Sequence, residues 1–335
     1  GAAAYGKSQD EGIHMAVEEI NQKGVIPIEL FVEDSKGSPS DAMNVTKRLI
    51  QKKAAVIIGP MTSNEAKAAG PIMQNAKIPS LEISVTAEGI TEIGDYIFRN
   101  SVPESMNIPQ TAKKTHRLLG YETAAILYAH DNEQHVTAQK YFRKTLEEEG
   151  VKIVDVETFG SKDSEYSAQL TNIENAKPDV VIVCSYYQEG VRILKKMREM
   201  GMNQPVLGDN GFVSPELGKM AGAAADNVYV SSMWSAARDT AATKTFVENY
   251  TKKYGHAPDQ FAAAAYDGVY MAMDAVQRAG SVTDTRKIRD AMAEMKGFNG
   301  VCGTFSFDDK RDPVVDLVLL KMEDGVFLAV GKQSS

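Results

Sequence analysis

The chain has 335 residues, 43% of them hydrophobic and 24% charged, with a formal net charge of −8. That length favours two lobes over one small core, and the composition is that of an ordinary globular protein. No run approaches the roughly 20 apolar residues that cross a bilayer, and acidic balance with dispersed Lys and Arg argues against general affinity for nucleic acid.

Ile13, Ala16, Val17 and Ile20 fall at helical spacing and predict a helix over 8–24, closed by Gly24. A strand is expected over 26–35, a helix over 39–53, a buried strand over 54–60, a helix over 63–76 and a strand over 78–84. Such alternation implies right-handed βαβ units and a parallel sheet. The first helix has no strand ahead of it, although a doubly wound lobe usually opens on one, so a strand upstream of Gly1 is expected. The opening "GAAAYGKSQ" has neither the charged region nor the apolar core of a signal peptide. It fits a cytosolic chain or a processed form of an exported one.

A second series follows "YIFRNSVPES" (96–105), with strands over 123–131, 152–159, 179–187, 205–211 and 228–234. Helices are expected between them at 134–149, 164–176 and 188–200, and afterwards at 239–254 and 259–279. "GTFSFD", "VVDLVLLKME" and "VFLAVGK" (326–332) then look like an antiparallel meander around the turn "EDGV". The late helices lead to strands with no sheet of their own, so each lobe is assembled from separate segments. No low-complexity linker is present, which suits a hinge of strands.

Only two cysteines occur, which excludes a disulfide scaffold; Cys184, in the apolar run "DVVIVCSYY", reads as a small buried hydrophobe, and whether it meets Cys302 is open.

In open parallel sheets ligands sit beyond the carboxyl ends of the strands. After "AAVIIGP", Ser63 stands where a helix N-cap belongs, with Glu65 in the first turn. A helix N-terminus suits a carboxylate or phosphate. The next strand ends in "ISVT", which would set Ser84 and Thr86 beside Ser63. The second series ends its strands in "SYYQEG" and "GDNGF". Tyr186, Tyr187 and Phe212 are either core aromatics or an apolar wall with polar tips, and Asp209 and Asn210 could accept from a cationic group.

No G-x-S-x-G elbow, Walker loop, G-x-G-x-x-G or H-E-x-x-H occurs, so no enzyme, cofactor or metal is expected. In "HDNEQH", His130, Asp131, Glu133 and His135 crowd one loop, but no second cluster completes a site, and a polar loop is the better reading.

The sequence resembles the type I solute-binding proteins of branched-chain amino-acid (Leu/Ile/Val-type) ABC transporters almost end to end. The likeness is carried by "AYG" (4–6), "AVEEIN" (16–21), "IELFVEDS" (28–35), "VIIGPMTS" (56–63) and "IPSLEISVTAEGIT" (78–91). It continues through "GDYIFR" (94–99), "SAQLTNI" (167–173), "CSYYQEG" (184–190), "GDNGFVSPEL" (208–217), "AAYDGVYMA" (264–272) and "DPVVDLVLLKMEDGVF" (312–327).

The resemblance implies an α/β type I periplasmic-binding-protein fold: two doubly wound parallel-sheet lobes joined by three hinge crossovers, closing on a small ligand like a clamshell. Its expected lobes are 1–101 with 235–305, and 102–234 with 306–335. By the same resemblance Ser63 and Thr86 bind an α-carboxylate, helped by backbone near Ser84 and Val85, and Tyr5 faces the pocket. Tyr186 or Tyr187 comes from the other lobe, with Asn210 matching an acidic residue and His135 standing about where many members have Tyr.

Asn210 replaces the usual ammonium partner with an uncharged amide, with Asp209 adjacent, and Glu82-Ile83 replaces what is commonly Ser-Pro. Trp234, the only Trp, lies near the second crossover. The implied function is that of a non-enzymatic, extracytoplasmic monomer, periplasmic or lipid-anchored. It would deliver a small carboxylate-bearing ligand, foremost an amino acid, to an ABC permease. The alternatives are a sensor domain, or a binding protein for an aromatic acid or amide.

Overall fold

The computed structural model describes residues 2–331. It divides into two compact units, Tyr5–Val102 with Met233–Asp316, and Pro103–Ser232 with residues 2–4 and 317–331.

The first unit begins with α1 (Ala3–Lys23), α2 (Pro39–Gln51), β1 (Ile57–Ile58), α3 (Ser63–Ala76), β2 (Ser80–Glu82) and β3 (Ile97–Arg99). β1, β2 and β3 form a parallel sheet in that order, with Ile58 opposite Leu81 and Glu82 opposite Arg99. The strand expected over 26–35 joins no sheet among the described residues. Its backbone is met by a side chain instead: Asn21 accepts from the Ile28 N–H at 2.7 Å and donates to the Ile28 carbonyl at 3.0 Å.

The second unit runs α4 (Glu104–Leu119), β4 (Thr123–Ala129), α5 (Glu133–Glu148), β5 (Lys152–Phe159), α6 (Ser167–Ala176), β6 (Val180–Cys184), α7 (Tyr187–Glu199), β7 (Val206–Gly208), α8 (Pro215–Ala221) and β8 (Val228–Ser232). The chain then returns to the first unit with α9 (Ala241–Tyr254), α10 (Gln260–Ala279), α11 (Thr285–Ala293), β9 (Phe298–Gly300), β10 (Gly303–Phe307) and β11 (Pro313–Val314). It ends in the second unit with β12 (Val318–Glu323) and β13 (Val326–Ala329). Of the expected final strand, Lys332 lies outside the described residues.

The second unit's seven strands are ordered β13-β12-β8-β7-β6-β4-β5, parallel from β5 to β8 and antiparallel over the last two. Val180, Ile182, Cys184 and Leu207 lie in its buried core with Ile126, Phe142 and Leu146.

The expected C-terminal meander is divided between the units. β9, β10 and β11 form a small antiparallel sheet in the first, and β12 and β13 extend the sheet of the second. The last passage therefore falls at Asp316–Leu317 and not after residue 305. The reason is hydrophobic: Phe305 and Phe307 of β10 are buried with Phe98 and Leu81, the Phe98 and Phe307 rings 5.4 Å apart edge to face. A break at 305 would cut that core. Cys184 and Cys302 are both buried free thiols, one in each unit.

Candidate functional site

In the first unit the strand-ends of β1 and β2 meet the start of α3. The cap of that helix is Thr62 and not Ser63. The run Thr62-Ser63-Asn64-Glu65 is a capping box: Thr62 Oγ1 accepts from the Glu65 N–H at 3.4 Å, and Glu65 Oε2 accepts from the Thr62 N–H at 3.1 Å. Ser63 is thus released from capping and becomes the first helical residue. Its Oγ accepts from the Thr86 N–H at 3.3 Å and from the Ala87 N–H at 3.2 Å. Ser63 and Thr86 are 0% and 1% exposed. The expected meeting of these two residues is present, as hydroxyl to backbone amide.

Ser84 is close by but committed elsewhere. Its Oγ donates to the Met61 carbonyl at 2.5 Å and accepts from Gln9 Nε2 at 2.7 Å. It ties the two strand-ends together. Val85 is fully buried in the apolar cluster with Ile57 and Ile97, and only its backbone is turned to polar work. Tyr5 is buried against Phe261, ring centroids 4.5 Å apart. Gln9 escaped the sequence reading; its signal is its place one helical turn after Tyr5 on the same face of α1.

The loop from Ser84 to Thr91 is also held from below. Arg99 ends β3 and is 2% exposed. It donates to Ala87 O at 2.7 Å and Val85 O at 3.4 Å, and pairs with both carboxylate oxygens of Asp312 at 2.5 and 3.2 Å. Glu82, opposite Arg99 in register, is fully buried. Its Oε1 accepts from Ser80 at 3.3 Å and its Oε2 has no partner. Burial pushes the Glu82 carboxyl well above its ordinary range, only partly offset by the Ser80 hydrogen bond and the Arg99 charge. Glu82 is a buried neighbour of the shelf whose environment favours its neutral form.

In the second unit the strand-ends of β4, β6 and β7 carry a different chemistry. His135, in the first turn of α5, sets Nδ1 2.6 Å from Asp209 Oδ2, with both side chains essentially unexposed. The Tyr186 ring meets the imidazole edge to face at 4.7 Å. Asp209 Oδ1 accepts from the Gly211 N–H at 3.0 Å and so shapes the turn Asn210–Phe212. A Cβ on Gly211 would stand 2.4 Å from Ser185 O, so only glycine fits there. The half-buried Asn210 offers its N–H to Glu104 Oε1 at 3.3 Å, and Asn107 Nδ2 donates to Glu104 Oε2 at 3.3 Å.

Glu104 is a second residue that the sequence reading missed. Its only signal is an acidic residue directly after a proline at a helix start. Phe212 is a core residue: it is 0% exposed, and its ring fills the space where Gly190 and Gly208 lack side chains. Tyr187 is buried at the start of α7, its Oη accepting from Gln188 at 3.1 Å. The polar run His130–His135 disperses. His130 is exposed, Asp131 accepts from Ser161, and Asn132 caps α5. Trp234 is buried, edge to face with Phe246 at 6.4 Å.

The family described as periplasmic binding protein matches residues 1–326. Among curated relatives, the "Leucine-, isoleucine-, valine-, threonine-, and alanine-binding protein" of Pseudomonas aeruginosa is 24% identical over 92% of this chain and 83% of its own length. Among solved structures, the branched-chain amino acid transporter substrate binding protein LivJ of Streptococcus pneumoniae, in complex with isoleucine, is 31% identical. It superposes with a TM-score of 0.92 over 98% of this chain and 95% of its own. A solute binding protein of an ABC transporter from Rhodopseudomonas palustris, in complex with 3,4-dihydroxy benzoic acid, is 26% identical, with a TM-score of 0.88 over 98% and 93%. Matched over almost its whole length, the chain belongs to the periplasmic binding protein family.

Proposed function

We propose that this protein is the extracytoplasmic substrate-binding component of an ABC importer. It captures a small carboxylate-bearing ligand, foremost an aliphatic amino acid, by clamshell closure, and hands it to a permease. It acts as a monomer, periplasmic or held at the membrane by a lipid, and carries out no catalysis. The observation that carries this reading is the shelf of Ser63 Oγ with the Thr86 and Ala87 amides, buried at a helix start. A carboxylate there can accept hydrogen bonds from the Ser63 hydroxyl and from the two N–H groups that Ser63 now satisfies. Charge-assisted bonds of this kind are strong where water is excluded. The Thr86 hydroxyl adds to the shelf, with Tyr5 and the backbone at Ser84 and Val85 around it. Tyr186, Tyr187, His135, Asp209 and Asn210 are the contributions from the second unit, with Phe212 behind them.

One observation favours a second reading, an aromatic acid without an ammonium. Asp209 is occupied by His135 and by the Gly211 amide, and Asn210 carries no charge. A buried ammonium would have to find its compensating charge elsewhere.

A thermal-shift screen over aliphatic amino acids, amides and aromatic acids tests both, because a ligand that binds only the folded state raises the melting temperature. The first reading expects the largest shift from leucine, isoleucine or valine. Shifts from aromatic acids alone would install the second. No shift from any carboxylate would remove both.

A further inference from the structure

We propose that Arg99 is the positioning residue of the carboxylate shelf, and that with Asp312 it fastens the shelf to two of the places where the chain passes between units. The proposal rests on the reading of Ser63, Thr86 and Ala87 as that shelf.

The argument begins with connectivity. Chain passages occur after Val102 and after Asp316. Arg99 ends the strand that leads to the first, and Asp312 opens the short segment that leads to the second. Their side chains form a two-pronged ion pair, and the Arg99 N–H reaches the Arg311 carbonyl at 3.4 Å. The third guanidinium nitrogen is spent on the shelf loop, at the Ala87 and Val85 carbonyls.

The surrounding bonds repeat the pattern. Ser101, next to the first passage, donates to Val85 O at 2.7 Å. Thr91, at the far end of the loop, reaches Asp312 Oδ1 at 3.4 Å, and Arg311 donates to Thr91 O at 2.6 Å. Asp312 is itself set by its own N–H, which donates to Asp308 Oδ1 at 2.9 Å. The peptide units whose N–H groups meet Ser63 are thus flanked by carbonyls held by groups beside both passages.

A planar guanidinium is suited to this. It supplies five donors in a fixed fork, so it can pair a carboxylate in two-pronged fashion and still address carbonyls from the remaining edge. Lysine keeps the charge but loses the fork. Glu82 stands opposite Arg99 on the neighbouring strand, with burial raising its carboxyl and its Oε1 turned to Ser80, whereas Asp312 meets two guanidinium nitrogens and is the acid of the pair. A displacement of the 85–87 backbone toward a bound carboxylate would pull on Arg99 and through it on both passages.

The test is Arg99→Lys and, independently, Asp312→Asn, compared with the parent by hydrogen exchange without ligand and by calorimetry with L-isoleucine. In the unliganded proteins the Thr86 and Ala87 amides should exchange at least tenfold faster than in the parent. Amides of β4 and β6, in the other unit, should be unchanged. Isoleucine affinity should fall at least tenfold, more for Arg99→Lys than for Asp312→Asn. In the parent, isoleucine should slow exchange at 97–102 and 308–316, and Arg99→Lys should abolish that slowing. Exchange at Thr86 and Ala87 that stays at the parent rate, or rises only in step with β2 and β3, would overturn the proposal and leave Arg99 a general support of the fold. Should Arg99→Lys not fold, Asp312→Asn decides by the same amides. Because the unliganded exchange needs no ligand, it judges Arg99 even if isoleucine proves not to bind, an outcome that counts against the amino-acid reading alone.

Discussion

In the Tyr5–Val102 unit the proposed ligand groups are hydroxyls and backbone amides, whereas in the Pro103–Ser232 unit the equivalent strand-ends hold carboxylates and an imidazole. Ser63 and Thr86 meet hydroxyl to amide, the adjacent Glu65 is engaged by Thr62 in the capping box, and burial raises the Glu82 carboxyl well above its ordinary range. Asp209 meets His135, and Glu104 meets the Asn210 amide. The first arrangement presents a hydroxyl and two backbone amides, with its adjacent carboxylate, Glu65, turned to the Thr62 cap. In the second, Asp209 and Glu104 are already hydrogen-bonded to His135, Asn107 and backbone amides, so what it can show a ligand is an imidazole edge, a phenol and an amide. On the proposed reading, the first unit supplies the affinity for a carboxylate and the second the choice of ligand.

The sharpest way to break this contrast is to remove one member of the internal match. Asp209→Ala leaves His135 Nδ1 without its acceptor and the Gly211 N–H without its cap. Losing a buried partner of this kind costs about 3 kcal/mol. Urea unfolding should register that loss, and a change under ~0.5 kcal/mol would mean the pair is not a structural unit.

Next comes the shelf. Ser63→Ala with Thr86→Ala should leave urea unfolding less affected than Asp209→Ala does, yet weaken ligand binding by about ten- to a hundredfold, or ~1.4 to 2.8 kcal/mol. Calorimetry with whichever compound gives the largest thermal shift is the measurement. Undiminished affinity would transfer the carboxylate to another part of the molecule.

Much of this was legible beforehand, and the gaps have causes. Ser63 and Thr86 could be brought together on paper because parallel strands align their ends, so neighbouring strand-to-helix turns share an edge of the sheet. That Thr62 and not Ser63 caps α3 was also available, in the threonine and glutamate three apart, but the eye goes to the serine after the apolar run. Arg99 and Asp312 could not be paired from spacing, since 213 positions separate them. His135 and Asp209 stand 74 apart on different strand-ends. Long-range side-chain pairs leave no periodic signature, whereas helices and strands do. The strand expected over 26–35 has the right alternation but no partner among the described residues, and pairing is what makes a strand.

Asn210→Asp sharpens the comparison by putting a charge on a side chain that now has none. The new carboxylate would sit near Glu104, which already touches the residue 210 N–H. If an aliphatic amino acid is the ligand, its ammonium compensates the added charge and affinity holds or improves a few-fold. If the ligand is a plain acid, two like charges meet and affinity falls by about tenfold or more. Calorimetry on isoleucine and on a hydroxybenzoate, side by side, separates the two.

The smallest effect concerns Glu82, the acid that lies beside the shelf without joining it. Its ordinary value is 4.5, and burial raises it well above that in the folded state. Below the unfolded value both states hold the proton, and the neutral carboxyl contributes its full stability. As pH rises past 4.5 the unfolded chain ionises while the folded one stays protonated, so that contribution declines until the folded group ionises too. Glutamine cannot ionise, and its amide oxygen can still accept from Ser80 as Oε1 does now. Glu82→Gln should therefore gain melting temperature relative to the parent as pH is raised from 4 to 7, with no gain at the acid end. A difference that does not vary with pH would mean that Glu82 is ionised in the folded protein. Arg99 would then divide its charge between two acids, and its hold on the Val85 and Ala87 carbonyls would have to be weighed against both.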